Sequence, residues 1–172
     1  MKTEKQLNPQ LAKLCELIEE IPAAMLTSRE NDGSLVSRPM SPLLMDANGT
    51  IWFYADRRST KIAQMAALNL AFSDPPHATY VSISGHAALD NDRILIDRMW
   101  TSWAKPWFPD GPGSLHLALL KFTPETAEYW DAANSRMVRM FAMATSVVAG
   151  EPIWMGDHAR LKHLTTPMKN VA

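Results

Sequence analysis

Ile51-Trp52-Phe53-Tyr54-Ala55-Asp56-Arg57-Arg58-Ser59-Thr60-Lys61 is the stretch on which the reading of this chain turns. Its first five residues are β-branched or aromatic apart from one alanine, the composition of a buried strand. A polar elbow follows, and Ser59 stands as the N-cap of a helix running through Ile62, Met65 and Ala66. Such an elbow brings a hydroxyl, a set of free backbone N–H groups and a lysine to one point. That combination suits an anion.

Working outward, Asp46-Ala47-Asn48-Gly49 is a turn, and it leads back to an extended run over residues 35–45 broken by Pro39 and Pro42. Two prolines in a strand predict an edge, a bulge or a bend. Asn31-Asp32-Gly33 predicts a hairpin between that run and a strand at residues 23–29. Before it, Asn8-Pro9 starts a helix carrying Leu11, Leu14, Cys15 and Ile18 on one face, and Pro22 ends it.

On the other side of the elbow come a short strand at residues 70–73, the turn Asp74-Pro75-Pro76-His77 and an alternating strand at residues 79–89. Val81, Ile83 and Gly85 oppose Ser82, Ser84 and His86 there. Asp90 or Asn91 caps a helix covering Ile94, Ile96 and Met99. A loop around Pro109-Asp110-Gly111-Pro112-Gly113 precedes two strands, residues 115–122 and 127–131, joined at Pro124. From about Ser135 the chain reads as helical through Val148 and then as an irregular tail. Six or seven antiparallel strands in hairpin order, with flanking helices, predict a closed barrel. The domain expectation is a single unit over residues 1–172, with the barrel at about 22–131 and a C-terminal helix and tail at 135–172.

The bulk composition narrows the function. The chain has 172 residues, enough for one well-buried core without staples. Net charge is −1, which argues against a general nucleic-acid or membrane-surface binder. Any anion site must therefore come from local placement of charge. A single cysteine, Cys15, excludes an internal disulfide framework and a cysteine zinc site. The polar start and the lack of a long apolar run make a cytoplasmic location the expectation.

Arg38 adds weight to the anion reading of the elbow. It lies on the run expected to pair with Ile51-Trp52-Phe53-Tyr54-Ala55, and an arginine in a half-buried strand needs a partner. A guanidinium fork grips phosphate through two hydrogen bonds while Lys61 supplies a point charge. The bland alternative is a capped helix with a solvated lysine, and an Arg38 paired on the surface, for instance with Asp56. Trp100, Trp103 and Trp107 recur at helical intervals; Trp100 reads as core, whereas Trp103 and Trp107 suit a planar ligand or a subunit interface. The five histidines have no metal-ligand spacing, and no metal site is expected. No phosphate-cradling glycine loop, nucleophile elbow or carboxylate pair is present, which fits chemistry carried by a cofactor.

Six segments in order resemble the pyridoxamine 5′-phosphate oxidase-like FMN-binding split barrels, and among these the general stress protein family. They are Ser37-Arg38-Pro39-Met40, Trp52-Phe53-Tyr54-Ala55-Asp56, Ser59-Thr60-Lys61, Tyr80-Val81-Ser82-Ile83-Ser84-Gly85, Trp107-Phe108-Pro109-Asp110-Gly111 and Ala127-Glu128-Tyr129-Trp130-Asp131. The resemblance implies a split β-barrel, a homodimer with FMN at the subunit interface, and oxidoreductase chemistry with a small-molecule electron donor or acceptor. It implies that Arg38, Ser59, Thr60 and Lys61 hold the ribityl phosphate, and that Met40, Tyr54 and Ala55 line the rest of the flavin. Trp107 would reach the partner's flavin. The chain departs from the vitamin B6 oxidases at Leu43, where those enzymes carry a substrate-binding lysine, at Tyr80, and at Arg160-Leu161-Lys162-His163. These departures point away from pyridoxamine phosphate as substrate. A flavin-binding sensor without turnover, and a barrel holding deazaflavin or haem, are the alternatives.

Overall fold

The computed structural model describes residues 1–58, 66–132, 156–162 and 164. The expected helices after Ser59 and from about Ser135 lie outside them. Nine strands and two α-helices are described: β1 (Lys2–Thr3), α1 (Pro9–Ile18), β2 (Ala24–Arg29), β3 (Leu35–Met40), β4 (Leu44–Met45), β5 (Ile51–Asp56), β6 (Leu68–Asp74), β7 (Thr79–Asp90), α2 (Arg93–Met99), β8 (Leu117–Ala132) and β9 (Gly156–Lys162). Seven of the strands have six residues or more, and β1 and β4 have two each. The predominantly β architecture with flanking helices is the expected one.

The strands form one sheet in the order β1-β4-β5-β8-β7-β6-β2-β3, with β9 on β8. The sheet is mixed, because β1 runs parallel to β4. The described ladder does not close on itself, so β1 and β3 are its ends. The closed ring expected from the hairpin pattern is therefore replaced by an open path. Its organiser is β8, sixteen residues long. The two strands expected on either side of Pro124 are one. Their first part pairs with β5, their last part with β9, and β7 runs along both.

Alternation divides the sheet into faces. Ile51 and Phe53 of β5, Leu68, Leu70 and Phe72 of β6, and Val81 and Ile83 of β7 enter the main core with the Leu14 and Ile18 face of α1. Trp52 of β5 and Leu117 and Leu119 of β8 face the other way, into a second cluster with Ile96 and Phe108. Asn8 caps α1 through Gln10 N at 2.8 Å, with Pro9 in the first turn. Asp92, not Asp90 or Asn91, caps α2, accepting from the amides of Ile94 and Leu95.

One glycine is fixed by a close approach. Gly85 sits at the register shift between Ser84 and Gly85, opposite Pro124. A Cβ there would stand 2.2 Å from Thr123 O and 2.9 Å from the Phe122 ring. Only glycine lets β7 and β8 bend together at this point.

Candidate functional site

Arg38 is on β3, directly across from Leu26 of β2. Along β2, Ala24, Leu26 and Ser28 share the core-facing side, so Arg38 is an arginine on the inner face of a terminal strand. Its Nη1 donates to Ser28 Oγ at 2.9 Å and its Nη2 to Glu30 Oε1 at 2.6 Å. Ser28 is buried, while the Arg38 side chain keeps 27% of its surface. Two of the five guanidinium donors are thus engaged.

The expected pairing of β3 with β5 does not occur. β3 pairs with β2, and two-residue β4 takes the place beside β5. The prolines explain this. Pro39 cannot donate to a further ladder, and Pro42 breaks the run, so the chain re-enters the sheet at Leu43, whose amide donates to Trp52 O at 2.8 Å. The carboxylate partner of Arg38 is Glu30, on its own hairpin, rather than Asp56.

Asp56 instead holds Arg58. Arg58 Nη2 lies 2.6 Å from Asp56 Oδ2, and the Arg58 amide donates to Asp56 Oδ1 at 2.9 Å. The Arg58 side-chain and backbone hydrogen bonds lower the Asp56 carboxyl to about 2. This Asx turn ends β5 at the entrance to the elbow. Ser59, Thr60 and Lys61 lie outside the described residues.

The remaining predicted residues separate. Met40 pairs with Ala24 and packs on the main core, as does Ala55. Tyr54 points to the opposite face of β5, into the second cluster, within ring contact of Trp100 and Phe108. Its hydroxyl donates to Met99 O at 2.7 Å and accepts from Thr101 N at 3.1 Å. Burial raises its phenol above the ordinary value. Leu43 packs at the edge of the same cluster. Trp100 also packs there, as expected, whereas Trp103 and Trp107 are 85% and 74% exposed. Sequence reasoning missed Ser28 and Glu30. The signal was present, since both lie at even spacing from Leu26 on the strand leading into the Asn31-Asp32-Gly33 turn.

Among the described residues no group of three His, Cys, Asp or Glu side chains is placed to hold a metal ion. No described helix is long and apolar enough to cross a membrane.

The profile of the family "Pyridoxamine 5'-phosphate oxidase like" matches residues 9–153. The chain belongs to that family. Its fold is the family's split barrel, with general stress proteins among its structural neighbours. A protein from Jannaschia sp. CCS1, provisionally named general stress protein 26, superposes with a TM-score of 0.70 at 26% identity, covering 88% of this chain and 99% of that one. The general stress FMN/FAD binding protein of Xanthomonas citri gives 0.61 at 28% identity, over 74% and 92%. In sequence, protein bli-3 of Neurospora crassa is 23% identical in an alignment 163 positions long that covers 87% of this chain and 78% of that protein.

Proposed function

We propose that this family member is an FMN-binding flavoprotein and an oxidoreductase that works as a homodimer, in the cytoplasm, with a small-molecule electron donor or acceptor. The observation that carries the reading is Arg38: a guanidinium on the inner side of a sheet end, steadied by buried Ser28, with donors to spare. Such a group fits a phosphate, which accepts the fork through two oxygens. The FMN/FAD-binding neighbour from Xanthomonas citri supports a flavin as the phosphate's owner.

In this reading Arg38 is one arm of the phosphate clamp, and Ser59, Thr60 and Lys61 are the other. Met40 and Ala55 supply apolar and backbone contacts to the ribityl and ring system. Tyr54 acts through its backbone, because its ring and hydroxyl are committed to the second cluster. Trp107 contacts the partner's flavin. Bound FMN would supply hydride or electron transfer at its ring, and the protein holds and orients it. Leu43, packed among apolar side chains, offers no charge to a substrate phosphate, which argues against a vitamin B6 phosphate as substrate.

The test is direct. Purified protein, loaded with FMN and dialysed, should retain one flavin per chain with a visible absorbance band, and NADH or NADPH should bleach it. Protein that takes up no FMN rules the reading out. Tight FMN without reduction by any donor favours a flavin-binding sensor. Mass spectrometry of a denatured extract separates FMN from deazaflavin and haem.

A further inference from the structure

Arg38 carries an anion already, and that anion belongs to the chain. Glu30 follows β2 directly, on the side shared by Leu26 and Ser28, so strand alternation aims its carboxylate at the guanidinium. The turn fixes it there: the Glu30 amide donates to Ser34 O at 2.8 Å, and Glu30 O accepts from Gly33 N at 2.9 Å. The Arg38 and Glu30 side chains keep 27% and 28% of their surface, so the pair stays partly open to solvent.

The geometry points to Glu30 as an intramolecular competitor for the anion that Arg38 takes. This inference rests on the assignment of the flavin phosphate to Arg38. A carboxylate and a phosphate both ask for N–H donors of the same fork. Glu30 neutralises the guanidinium when no ligand is bound and holds one Nη2 donor, so a phosphate meets a fork already partly occupied and charge-compensated. Its negative charge also opposes a phosphate, which carries about −1.5 to −2 at neutral pH. Ser28 differs, because its neutral hydroxyl steadies Nη1 without opposing an anion. Glu30 therefore weakens phosphate-bearing ligands selectively and has no lever on a ligand that lacks a phosphate.

The experiment is a flavin titration of the full-length, flavin-stripped protein, read by quenching of flavin fluorescence, with FMN and with riboflavin. Glu30→Gln keeps the shape and a hydrogen-bond acceptor, so the hairpin is retained; a circular dichroism melt verifies this. A pair of this exposure contributes modestly, so Glu30→Gln should tighten FMN by about two- to fivefold and leave riboflavin unchanged. In an Arg38→Ala background the same substitution should tighten FMN by less, because only the charge repulsion remains once the competitor has lost its target. Weaker or unchanged FMN binding in Glu30→Gln overturns the inference; weaker binding would make Glu30 a positioning residue for Arg38. An equal gain in the Arg38→Ala background also overturns it. If the wild type does not prefer FMN to riboflavin and Arg38→Ala alters neither, the phosphate assignment itself fails and the competitor role falls with it. A preference that Arg38→Ala abolishes and Glu30→Gln does not raise leaves the assignment standing and removes only Glu30.

Discussion

The Tyr54 hydroxyl stitches β5 to the end of α2, donating to Met99 O and accepting from Thr101 N. Tyr54→Phe removes both bonds in a partly buried place and should cost about 1–3 kcal/mol, measured as a shift in urea midpoint with unchanged slope. Burial raises its phenol pKa, so the neutral form is the one the fold favours. That contribution is complete below about pH 10 and is lost as pH rises through the raised folded value. Asp56 has the opposite sign. Its carboxyl titrates near 2, under the hydrogen bonds of Arg58, so the preference holds above about pH 4 and fades as pH falls through about 2. An NMR titration should give Asp56 a midpoint of about 2. In Arg58→Ala it should return toward about 4. A midpoint indifferent to Arg58 would contradict the assigned cause. At this scale the sequence was legible where a side chain's partner is local. Arg38 needed a partner and has one, but the identity of that partner depended on strand pairing that the prolines redirected.

Among the elements, β7 and its partner β8 show how much local pattern decides. The alternation of Val81, Ile83 and Gly85 against Ser82, Ser84 and His86 is the observed inside and outside of β7. What alternation does not carry is the bend at Gly85. Gly85→Ala must place a methyl group against the Thr123 carbonyl and the Phe122 ring, and backbone cannot yield as a flexible side chain can. The expected loss is about 1–3 kcal/mol or more, with a lower melting temperature, as for other overpacked sites. A wild-type melting temperature would show that the bend relaxes without cost. β9 was illegible for a related reason. Asp157, His158, Arg160 and Lys162 leave only Ala159 and Leu161 for the core side, too little apolar signal to announce a strand. Its pairing is provided by the last half of β8, a partner distant in sequence. Pro124 misled in the same region: it sits next to the extra residue Glu125 at the register shift of β8, where a missing N–H is tolerated, so it did not divide the strand.

Over the whole molecule, the hydrophobic pattern determined which residues form the main core, while the direction of the chain after Met40 decided which strands share a flank. The second cluster is the larger surprise. It draws Tyr54, Leu43 and Trp100 to the far side of β5, while Ile94, Trp103, Trp107 and Leu115, close in sequence to its members, stay exposed. Exposed tryptophans bury little surface in a monomer, yet tryptophan is enriched at interface centres. The proposed homodimer gives them a role. Sedimentation velocity at micromolar concentration should return a dimer, and replacing both Trp103 and Trp107 with arginine should shift it toward monomer. The melting temperature extrapolated to low concentration should stay unchanged, because neither side chain is part of a core. FMN retention should fall with dimerisation if Trp107 closes on the partner's flavin, and riboflavin retention should fall equally, since a ring contact is blind to the phosphate. A double variant that remains dimeric with full flavin would move the interface to another face and release Trp107 from the site.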